Sequence, residues 1–458
     1  MNIYLHCEVY SREFDSKLLL AILAASRGHE VIISDIEVIE KGISRGMLAP
    51  GVFHTKSLTP AESKITRHSN FIKAGFKITS IDEEGGLVTE GYDDFAKLRF
   101  SNQTIEMASA IFTWGKEDTD SLKKNFPSYS SKIYMTGSPR VDLWKPIFSS
   151  SLNPPSNFTK RPYLLIVSNL ANCNGVVPFY KQIQQLINTD YHKRDPNIIK
   201  VLFETASDEY RLILAFVEAI KYLAKNNTEF DIILRPHPNE DINSWKIYLE
   251  GLPNVYVIKE GAINSWVKNS FAVMHNGCTT AYEATISDKP LITYVPFVMQ
   301  HGNDLPNELG YIINTKEDLS NKVNDLFSGT KLEKKKNSNH YNNEKIFNKL
   351  YLDNNELSAE KILKIWEEVD DKTLSKFNNW ILFELRLKIM KINGIIGNLY
   401  KKIFNNSFNK KENYKFPPLD KKKIIYQVKK FERILGIKQK IYCKLLSDRT
   451  VLIKREKL

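Results

Sequence analysis

Short apolar runs alternate with amphipathic stretches along the first 145 residues. The runs have the length and composition of buried strands, and the stretch FDSKLLLAILAASRG, which ends at Gly28, has the spacing of an amphipathic helix. This alternation predicts a parallel β-sheet with helices in the crossovers. The predicted strands are NIYLHCEV, EVIISD, FKITSI, ASAIFTWG and KIYMTG.

A second series follows a Ser-, Pro- and Asn-rich break at residues 148–161, with predicted strands YLLIVSN, FDIILRPHP, VYVIKEG, FAVMHNG and PLITYV. At 458 residues the chain is too long for a single core. We therefore predict an α/β fold with two Rossmann-like domains that face a cleft. The predicted parts are domains at 1–147 and 162–332, a helical segment at 333–370 that crosses back, and a basic helical tail at 371–458.

The net charge of +12 is concentrated in the tail. Residues 371–458 hold 23 lysines and arginines against 7 acidic residues, a balance of +16, so the rest of the chain carries −4. Nucleic-acid binding by the main body therefore has no compositional support. Within residues 373–405, apolar side chains lie among basic ones, which favours a helix on an anionic membrane surface. A helix docked on the catalytic body and a contact with an acidic partner protein are the alternatives.

The cysteines and the length of the apolar runs indicate the compartment in which the protein resides. The four cysteines form no CxxC pair and have no histidine at metal-ligand spacing, which favours a reducing cytosol over a disulfide framework or a metal site. No stretch reaches the roughly 18 apolar residues that span a bilayer, and the start lacks the features of a signal peptide. We expect a cytoplasmic protein, with peripheral binding to the inner face of the plasma membrane as an open alternative.

The segment FAVMHNGCTTAYEATISD predicts a phosphate-binding turn between a buried strand and a helix. Free N–H groups and the positive end of a helix attract an anion, and threonine hydroxyls add hydrogen-bond donors. A threonine that merely caps the helix is the alternative. Glu283 could bind a ribose diol or could be a solvated helix residue. The candidate residues for binding the donor here are His275, Asn276, Gly277, Cys278, Thr279, Thr280 and Glu283.

The segment Arg235-Pro236-His237-Pro238 directly follows the predicted strand DIILR. The two prolines hold His237 in a rigid, extended turn. A histidine at a strand end can neutralise a leaving phosphate or donate a proton to it, and Arg235 adds a permanent positive charge. Asn169, at the end of the first strand of the second series, is a weaker candidate for the same site.

Two turns of the first domain are candidates for the acceptor side. The turn DEEGG at residues 82–86 follows an apolar strand, and a carboxylate there can deprotonate an acceptor hydroxyl. An exposed acidic turn is equally consistent with the pattern. The turn GSPR at residues 137–140 could place an arginine against an acidic sugar or a phosphate. The candidate residues are Glu83, Glu84, Gly85, Gly137, Arg140 and, in the first βα turn, Arg12.

Three of these motifs, in this order, resemble those of a clan that contains the bacterial polysialyltransferases, the capsule and lipopolysaccharide Kdo transferases and the CDP-glycerol polymerases. The clan shares a D/E-D/E-G motif, an HP motif and a Ser/Thr motif. The matching segments are Glu83-Glu84-Gly85, His237-Pro238 and Cys278-Thr279-Thr280, where Cys278 departs from the expected hydroxyl residue. With DEEGG and GSPRVD, the chain is most similar to the surface carbohydrate biosynthesis proteins related to Kdo transferases, over about residues 1–330.

The resemblance implies a GT-B glycosyltransferase with a CMP-activated acidic sugar, Kdo- or sialic-acid-like, as nucleotide-sugar donor. It implies a saccharide or lipid-linked acceptor of surface polysaccharide or lipopolysaccharide, and no cofactor or essential metal. Glu84 or Glu83 would be the base, His237 would contact the leaving phosphate, and Thr279 and Thr280 would bind it. The absence of GxGxxG disfavours NAD and FAD, and the sequence contains no GxxxxGK(S/T) P-loop. A UDP-sugar 2-epimerase, a CDP-glycerol or ribitol phosphotransferase and a non-catalytic scaffold are the alternatives.

Overall fold

The structure is a computed structural model that divides into two compact units. The first unit comprises Met1–Leu143 and Glu344–Leu458, and the second comprises Trp144–Asn343. The chain therefore returns to the first unit within the segment predicted to cross back. The residues described are 1–87, 91–151, 161–188, 196–301, 304–329, 344–353, 355–370, 378–389, 391–392 and 416–456. Most of the predicted linker and much of the predicted tail lie outside them.

The first unit contains one eight-stranded sheet. Its strands are β1 (Asn2–His6), β2 (Glu30–Ser34), β3 (Val52–Thr55), β4 (Lys77–Ile81), β5 (Ala108–Thr113), β6 (Ile133–Met135), β13 (Ile441–Ser447) and β14 (Thr450–Arg455). They follow the order β13-β14-β2-β1-β3-β4-β5-β6, in which β1 to β6 are parallel. The order reverses between β1 and β3, which makes the loops after these strands the expected ligand crevice.

Helices connect the parallel strands of the first unit. The first of them, Tyr10–Ser26, is buried from Leu18 to Ala25 because it contacts β2, β14 and the helices Ser358–Val369 and Lys421–Ile434. The other helices described are Ile36–Ser44, Glu62–Lys73, Tyr92–Arg99, Asn102–Glu106, Lys116–Asn125, Pro139–Asp142, Glu344–Lys349 and 380–389, with short 3₁₀ helices at Gly85–Leu87 and Pro127–Lys132.

The prediction of a helical tail is wrong for its last part. Strands β13 and β14 form an antiparallel hairpin, and β14 pairs antiparallel with β2. Apolar residues, several of them β-branched, fill the two strands, and residues 448–449 form the turn between them. Val451 and Ile453 are completely buried, so the hairpin is part of the core of the first unit. The helix Lys421–Ile434 that precedes it agrees with the predicted helical character.

The second unit contains a six-stranded, fully parallel sheet. Its strands are β7 (Tyr163–Val167), β8 (Asp231–Arg235), β9 (Val255–Val257), β10 (Ala272–His275), β11 (Leu291–Tyr294) and β12 (Tyr311–Ile313), in the order β12-β11-β10-β7-β8-β9. Every pairing is parallel. Strands β8 and β9 lie on one side of β7, and strands β10, β11 and β12 lie on its other side. The strand order therefore reverses between β7 and β10.

The helices described in the second unit are Phe179–Asn188, Ile198–Asn226, Ile242–Tyr248, Ile263–Asn269, Thr280–Ile286, Asp304–Asn307 and Lys316–Phe327, with a 3₁₀ turn at Pro146–Ser151. Its core is formed by apolar side chains of the strands and of the long helix, including Phe216 and Ile220. The predicted fold class, α/β with two Rossmann-like units, is confirmed.

Candidate functional site

The carboxyl ends of β10, β7 and β8 lie side by side in the second unit, and each carries predicted residues. Because the strand order reverses between β7 and β10, a crevice opens there in sheets of this type. The loop after β7 contains Asn169, and the loop after β10 contains Gly277. The Asn169 side-chain amide donates a hydrogen bond of 3.4 Å to the Gly277 carbonyl, which joins the two loops across the reversal point.

A buried carboxylate that the sequence analysis did not select joins the loops after β7 and β8. Glu240 is completely buried, and its Oε1 accepts hydrogen bonds from the backbone N–H groups of Leu170 at 3.2 Å and His237 at 2.9 Å. Its Oε2 accepts from the Trp245 indole N–H at 2.8 Å, and the Ser168 hydroxyl lies 2.9 and 3.0 Å from the two oxygens. Only an acceptor-only group satisfies this set of donors. Glu240 therefore fixes the turn that presents His237.

The His237 ring is partly buried and is held at its Nδ1 atom. The backbone N–H of Asn239 lies 3.2 Å from Nδ1, so Nδ1 accepts and the proton of the neutral ring is on Nε2. Burial lowers the pKa of His237, the nearby Lys259 lowers it further, and Glu240 opposes the shift. The ring is thus neutral at pH 7 and carries an N–H donor at the carboxyl end of β8.

Arg235 has a different role from the predicted one. Its guanidinium donates hydrogen bonds to the carbonyls of Lys259, Glu260 and Gly261 in the loop after β9, and it lies 5.4 Å from the centre of the Trp266 ring. Burial lowers its pKa to about 10. These contacts hold the charge inside the unit, where it fastens a neighbouring loop.

His275 and Asn276 also face inward. His275 is completely buried, its Nε2 lies 2.9 Å from the Thr293 hydroxyl, and burial lowers its pKa to about 3. The Asn276 side chain donates to the Tyr294 carbonyl at 2.7 Å. His275 is the last residue of β10 and Asn276 is the next residue, and both side chains tie this end of the strand to β11.

The turn after β10 leaves the two threonines as its accessible polar residues. Gly277 has a φ of +60°, and its N–H donates to the Asn307 side chain at 2.6 Å, so this amide is already engaged. Cys278 is buried, with its sulfur 3.3 Å from the Thr280 hydroxyl. Thr279 and Thr280 are partly exposed where the helix Thr280–Ile286 begins.

Glu283 lies one turn further along the helix Thr280–Ile286 and is buried. Its charge raises the pKa of Arg235 and of Lys268 against the effect of burial. The carboxylate thus takes part in the internal charge balance of the second unit, and its contact with a ribose stays a prediction.

The three carboxylates of the acidic turn after β4, those of Asp82, Glu83 and Glu84, lie in different environments. Asp82 is buried, and Arg99 donates two hydrogen bonds to it at 2.8 and 2.9 Å. Burial raises the pKa of Asp82, while Arg99 acts in the opposite direction. The Asp82 carbonyl accepts the Trp114 indole N–H at 2.8 Å, so this residue anchors the turn.

Glu83 belongs to a buried ion-pair network. Lys17 Nζ lies 2.7 Å from Glu83 Oε1 and 3.5 Å from Glu13 Oε2. Burial alone would lower the pKa of Lys17, but the two carboxylates outweigh it and raise the pKa. Arg140 donates to the Glu83 backbone carbonyl at 2.9 Å and lies 3.7 Å from Oε2. This arrangement makes Glu83 a structural ion-pair partner.

Glu84 is the accessible carboxylate of the turn, with a side chain that is 47% exposed. Arg99 lies 3.2 Å from it and Arg12 3.8 Å. Two arginines therefore lie beside Glu84 without enclosing it, and it is the better candidate for a base. Lys56, in the loop after β3, forms an ion pair with Glu8, in the loop after β1, so a charged pair joins the two loops at the point where the strand order of this sheet reverses.

The glycine of the GSPR turn and one glycine of DEEGG are required by close packing of the backbone. Gly137 has a φ of +75°, and a Cβ there would lie 2.5 Å from the Ser358 hydroxyl. Asp142 accepts hydrogen bonds from the backbone N–H groups at the start of the helix Ser358–Val369, at 3.0 and 2.9 Å. In DEEGG, a Cβ at Gly85 would meet only ordinary contacts, whereas one at Gly86 would lie 2.1 Å from Trp114. The glycine required there is Gly86.

The structure thus groups Asn169, His237, Thr279 and Thr280 along one edge of the second unit, and Arg12, Glu84 and Arg140 along one edge of the first. The residues that sequence analysis missed are Glu240, Arg99 and Asn307. Glu240 follows the HP motif by two residues, which is a usable signal. The partners that Arg99 and Asn307 find lie 17 and 30 positions away in sequence and leave no local pattern.

No protein-family model and no curated protein matches this chain. Among solved structures, it is similar to a protein of Listeria monocytogenes provisionally named a UDP-N-acetylglucosamine 2-epimerase, with 13% identity, a TM-score of 0.48, and 82% of this chain and 99% of that chain covered. The UDP-GlcNAc 2-epimerase of Methanocaldococcus jannaschii, in complex with UDP-GlcNAc and UDP, has 13% identity and a TM-score of 0.43, over 80% of this chain and all of that chain (100%).

A variant of the wall teichoic acid polymerase TagF, soaked with CDPG, has 13% identity and a TM-score of 0.43, over 80% of this chain and 89% of that chain. At these identities and TM-scores, the similarities assign no activity to the chain. None of these three structures is a Kdo transferase or a polysialyltransferase, so the resemblance to that clan stays a prediction.

Proposed function

We propose that this chain is a glycosyltransferase that moves an acidic sugar, Kdo- or sialic-acid-like, from a CMP-activated donor to a saccharide acceptor of surface polysaccharide or lipopolysaccharide. The observation that carries the proposal is the presentation of a neutral His237 ring, with Nε2–H as donor, by the Glu240 carboxylate. Two partly exposed threonines lie at the end of β10, the second strand along from β8. Donors of this kind suit the phosphate of a nucleotide.

In the proposed reaction, an acceptor hydroxyl attacks the anomeric carbon while the bond from that carbon to the phosphate oxygen breaks. CMP leaves with the bonding electron pair. The His237 N–H and the hydroxyls of Thr279 and Thr280 donate hydrogen bonds to the charge that develops on the phosphate. Glu84 takes the proton of the acceptor hydroxyl, since it is the accessible carboxylate of its turn.

A neutral imidazole suits this role. A donor that remains uncharged binds the phosphate of the intact nucleotide sugar less strongly than an imidazolium would. Its hydrogen bond strengthens as negative charge grows during bond cleavage, and such differential binding accelerates the reaction. The lowered pKa of His237 therefore supports its proposed role as a hydrogen-bond donor.

Binding of nucleotides tests the donor class directly. The full chain is heated with CMP, UDP, GDP and CDP-glycerol, and unfolding is followed by fluorescence. A nucleotide at 100 times its dissociation constant stabilises the folded state by about 2.7 kcal/mol. CMP is expected to raise the Tm most, and His237→Ala to remove the shift. The matched control His301→Ala changes an exposed histidine of the same unit and is expected to keep it.

Preferential stabilisation by UDP, together with conversion of UDP-GlcNAc to its 2-epimer, contradicts the proposal and favours an epimerase. A CMP-induced shift that survives in His237→Ala contradicts the placement of the phosphate.

A further inference from the structure

The helix 380–389 of the first unit has two apolar faces. On its inner face, Phe383 is 1% and Leu387 5% exposed, and both belong to the core of the unit. Trp380 packs against the same core, and its indole N–H donates to Glu30 at 2.8 Å. The helix is therefore fixed to the first unit through these contacts.

The opposite face presents a row of large aliphatic side chains. Ile381 is 80% exposed, Leu385 53% and Ile389 48%, and Ile392, just beyond, is 56% exposed. Residues four apart lie on the same side of a helix, so Ile381, Leu385 and Ile389 form a continuous row. We call these three residues and Ile392 the outer row. Isolated exposed hydrophobic residues are ordinary, but an aligned row indicates a surface that binds something.

The charges beside the outer row are basic. Arg386, Lys388 and Lys391 are exposed, and Lys391 forms an ion pair with the exposed Asp448 at 2.7 Å. The acidic residue of this helix, Glu384, has a side chain only 17% exposed and forms ion pairs with Lys444 at 2.6 Å and Lys388 at 3.1 Å. The outward face thus combines aliphatic side chains with cations, and residues 371–458 as a whole carry a balance of +16.

We propose that the outer row rests on an anionic phospholipid surface, with the helix lying in the plane of the interface. Aliphatic side chains enter the boundary of the acyl chains while neighbouring lysines and arginines contact phosphate headgroups. In the part of the chain that the structure describes, no helix has the length and hydropathy to cross a bilayer. This inference deepens the proposed function by naming the surface at which the enzyme works, but it does not depend on the identity of the donor.

Co-sedimentation of the full chain with lipid vesicles tests the inference without any activity measurement. The vesicles consist of phosphatidylcholine alone or of phosphatidylcholine mixed with phosphatidylglycerol. The chain is expected to sediment with the anionic vesicles, and high salt is expected to weaken this binding. The triple variant Ile381→Ser, Leu385→Ser, Ile389→Ser is expected to bind at least about tenfold more weakly, because it loses the side chains that enter the lipid.

The matched control is Ile72→Ser with Leu98→Ser, which changes aliphatic side chains of the same unit that are 40% and 63% exposed. It is expected to bind as the unaltered chain does. A charge variant, Arg386→Gln with Lys391→Gln, keeps the outer row and is expected to lose about fivefold for each basic residue removed, on anionic vesicles only. Far-UV circular dichroism and a thermal melt establish that each variant is folded.

Three outcomes overturn the inference. The first is that the unaltered chain fails to sediment with anionic vesicles. The second is that the folded triple variant sediments as well as the unaltered chain does. In the third, light scattering shows a dimer that the triple variant abolishes, which makes a second copy of the chain the occupant of the outer row.

Discussion

Removal of the Glu240 carboxylate is expected to destabilise the second unit strongly. Glu240→Ala leaves the N–H groups of Leu170, His237 and Trp245 and the Ser168 hydroxyl without their acceptor in a site with no solvent exposure. An unsatisfied buried group costs about 1–3 kcal/mol, and partial relaxation reduces the sum, so we expect a loss of about 3–5 kcal/mol.

Glu240→Gln removes the charge of the side chain and keeps its size and shape. Its oxygen replaces Oε1 and keeps the two backbone hydrogen bonds, while its NH₂ group replaces Oε2 and opposes the Trp245 indole N–H. One buried donor is then unsatisfied, and we expect a loss of about 2 kcal/mol. Urea unfolding followed by tryptophan fluorescence measures both values. Glu250→Gln, an exposed glutamate of the same unit, is the control and should change stability by less than about 0.5 kcal/mol.

The same variant has a second readout at His237. The charge of Glu240 raises the pKa of His237 against the effect of burial, so the pKa should fall further in Glu240→Gln. NMR titration of the labelled histidine ring measures this shift. A Glu240→Gln chain that is as stable as Glu250→Gln and has an unchanged His237 pKa would refute the assigned role of this carboxylate.

Three further predictions concern other groups. Glu84→Gln should leave the free energy of unfolding within about 0.5 kcal/mol of the unaltered value, because this side chain is half exposed, and should abolish transfer; an unstable variant contradicts the assignment. Lys17→Met should destabilise the first unit by about 3–5 kcal/mol, since it removes the buried cation that lies between the buried side chains of Glu83 and Glu13; urea unfolding without such a loss is inconsistent with the network. His275, with a pKa of about 3 when folded, takes up a proton only on unfolding once the pH drops below about 6.5. Stability should be complete above that pH and fall by about 2 kcal/mol between pH 7 and pH 5 from this residue alone, a slope that His275→Gln should reduce in urea titrations at the two pH values.

The strand ends of the candidate site could be predicted from the sequence because the local pattern determines them. Buried parallel strands are short apolar runs, and the turns that follow them carry the polar residues, so His237 and Glu84 could be selected from their positions alone. The strand order, and with it the reversal between β7 and β10, depends on pairings between distant segments. No local pattern contains that information.

The direction of a side chain was the main limit of prediction. Arg235 and His275 stand at strand ends, where a side chain can contact either a ligand or the protein interior. In this structure both form hydrogen bonds with groups of the protein interior. The C-terminal hairpin escaped prediction because lysines interrupt its apolar residues, as they do in the preceding helix, and only its pairing with β2 distinguishes the two. Burial and partners at long sequence separation decide such cases.

Transfer of an acidic sugar from a CMP-activated donor is the reaction that this chain is proposed to catalyse. The full chain is incubated with CMP-Kdo or CMP-sialic acid and a saccharide acceptor, and both the release of CMP and the mass of the acceptor are followed. We expect the unaltered chain to yield an acceptor heavier by one sugar residue, and the folded variants His237→Ala and Glu84→Gln to yield none. Absence of transfer by the folded, unaltered chain would contradict the proposed activity, and transfer at an undiminished rate by folded His237→Ala and Glu84→Gln chains would contradict the roles proposed for these two residues.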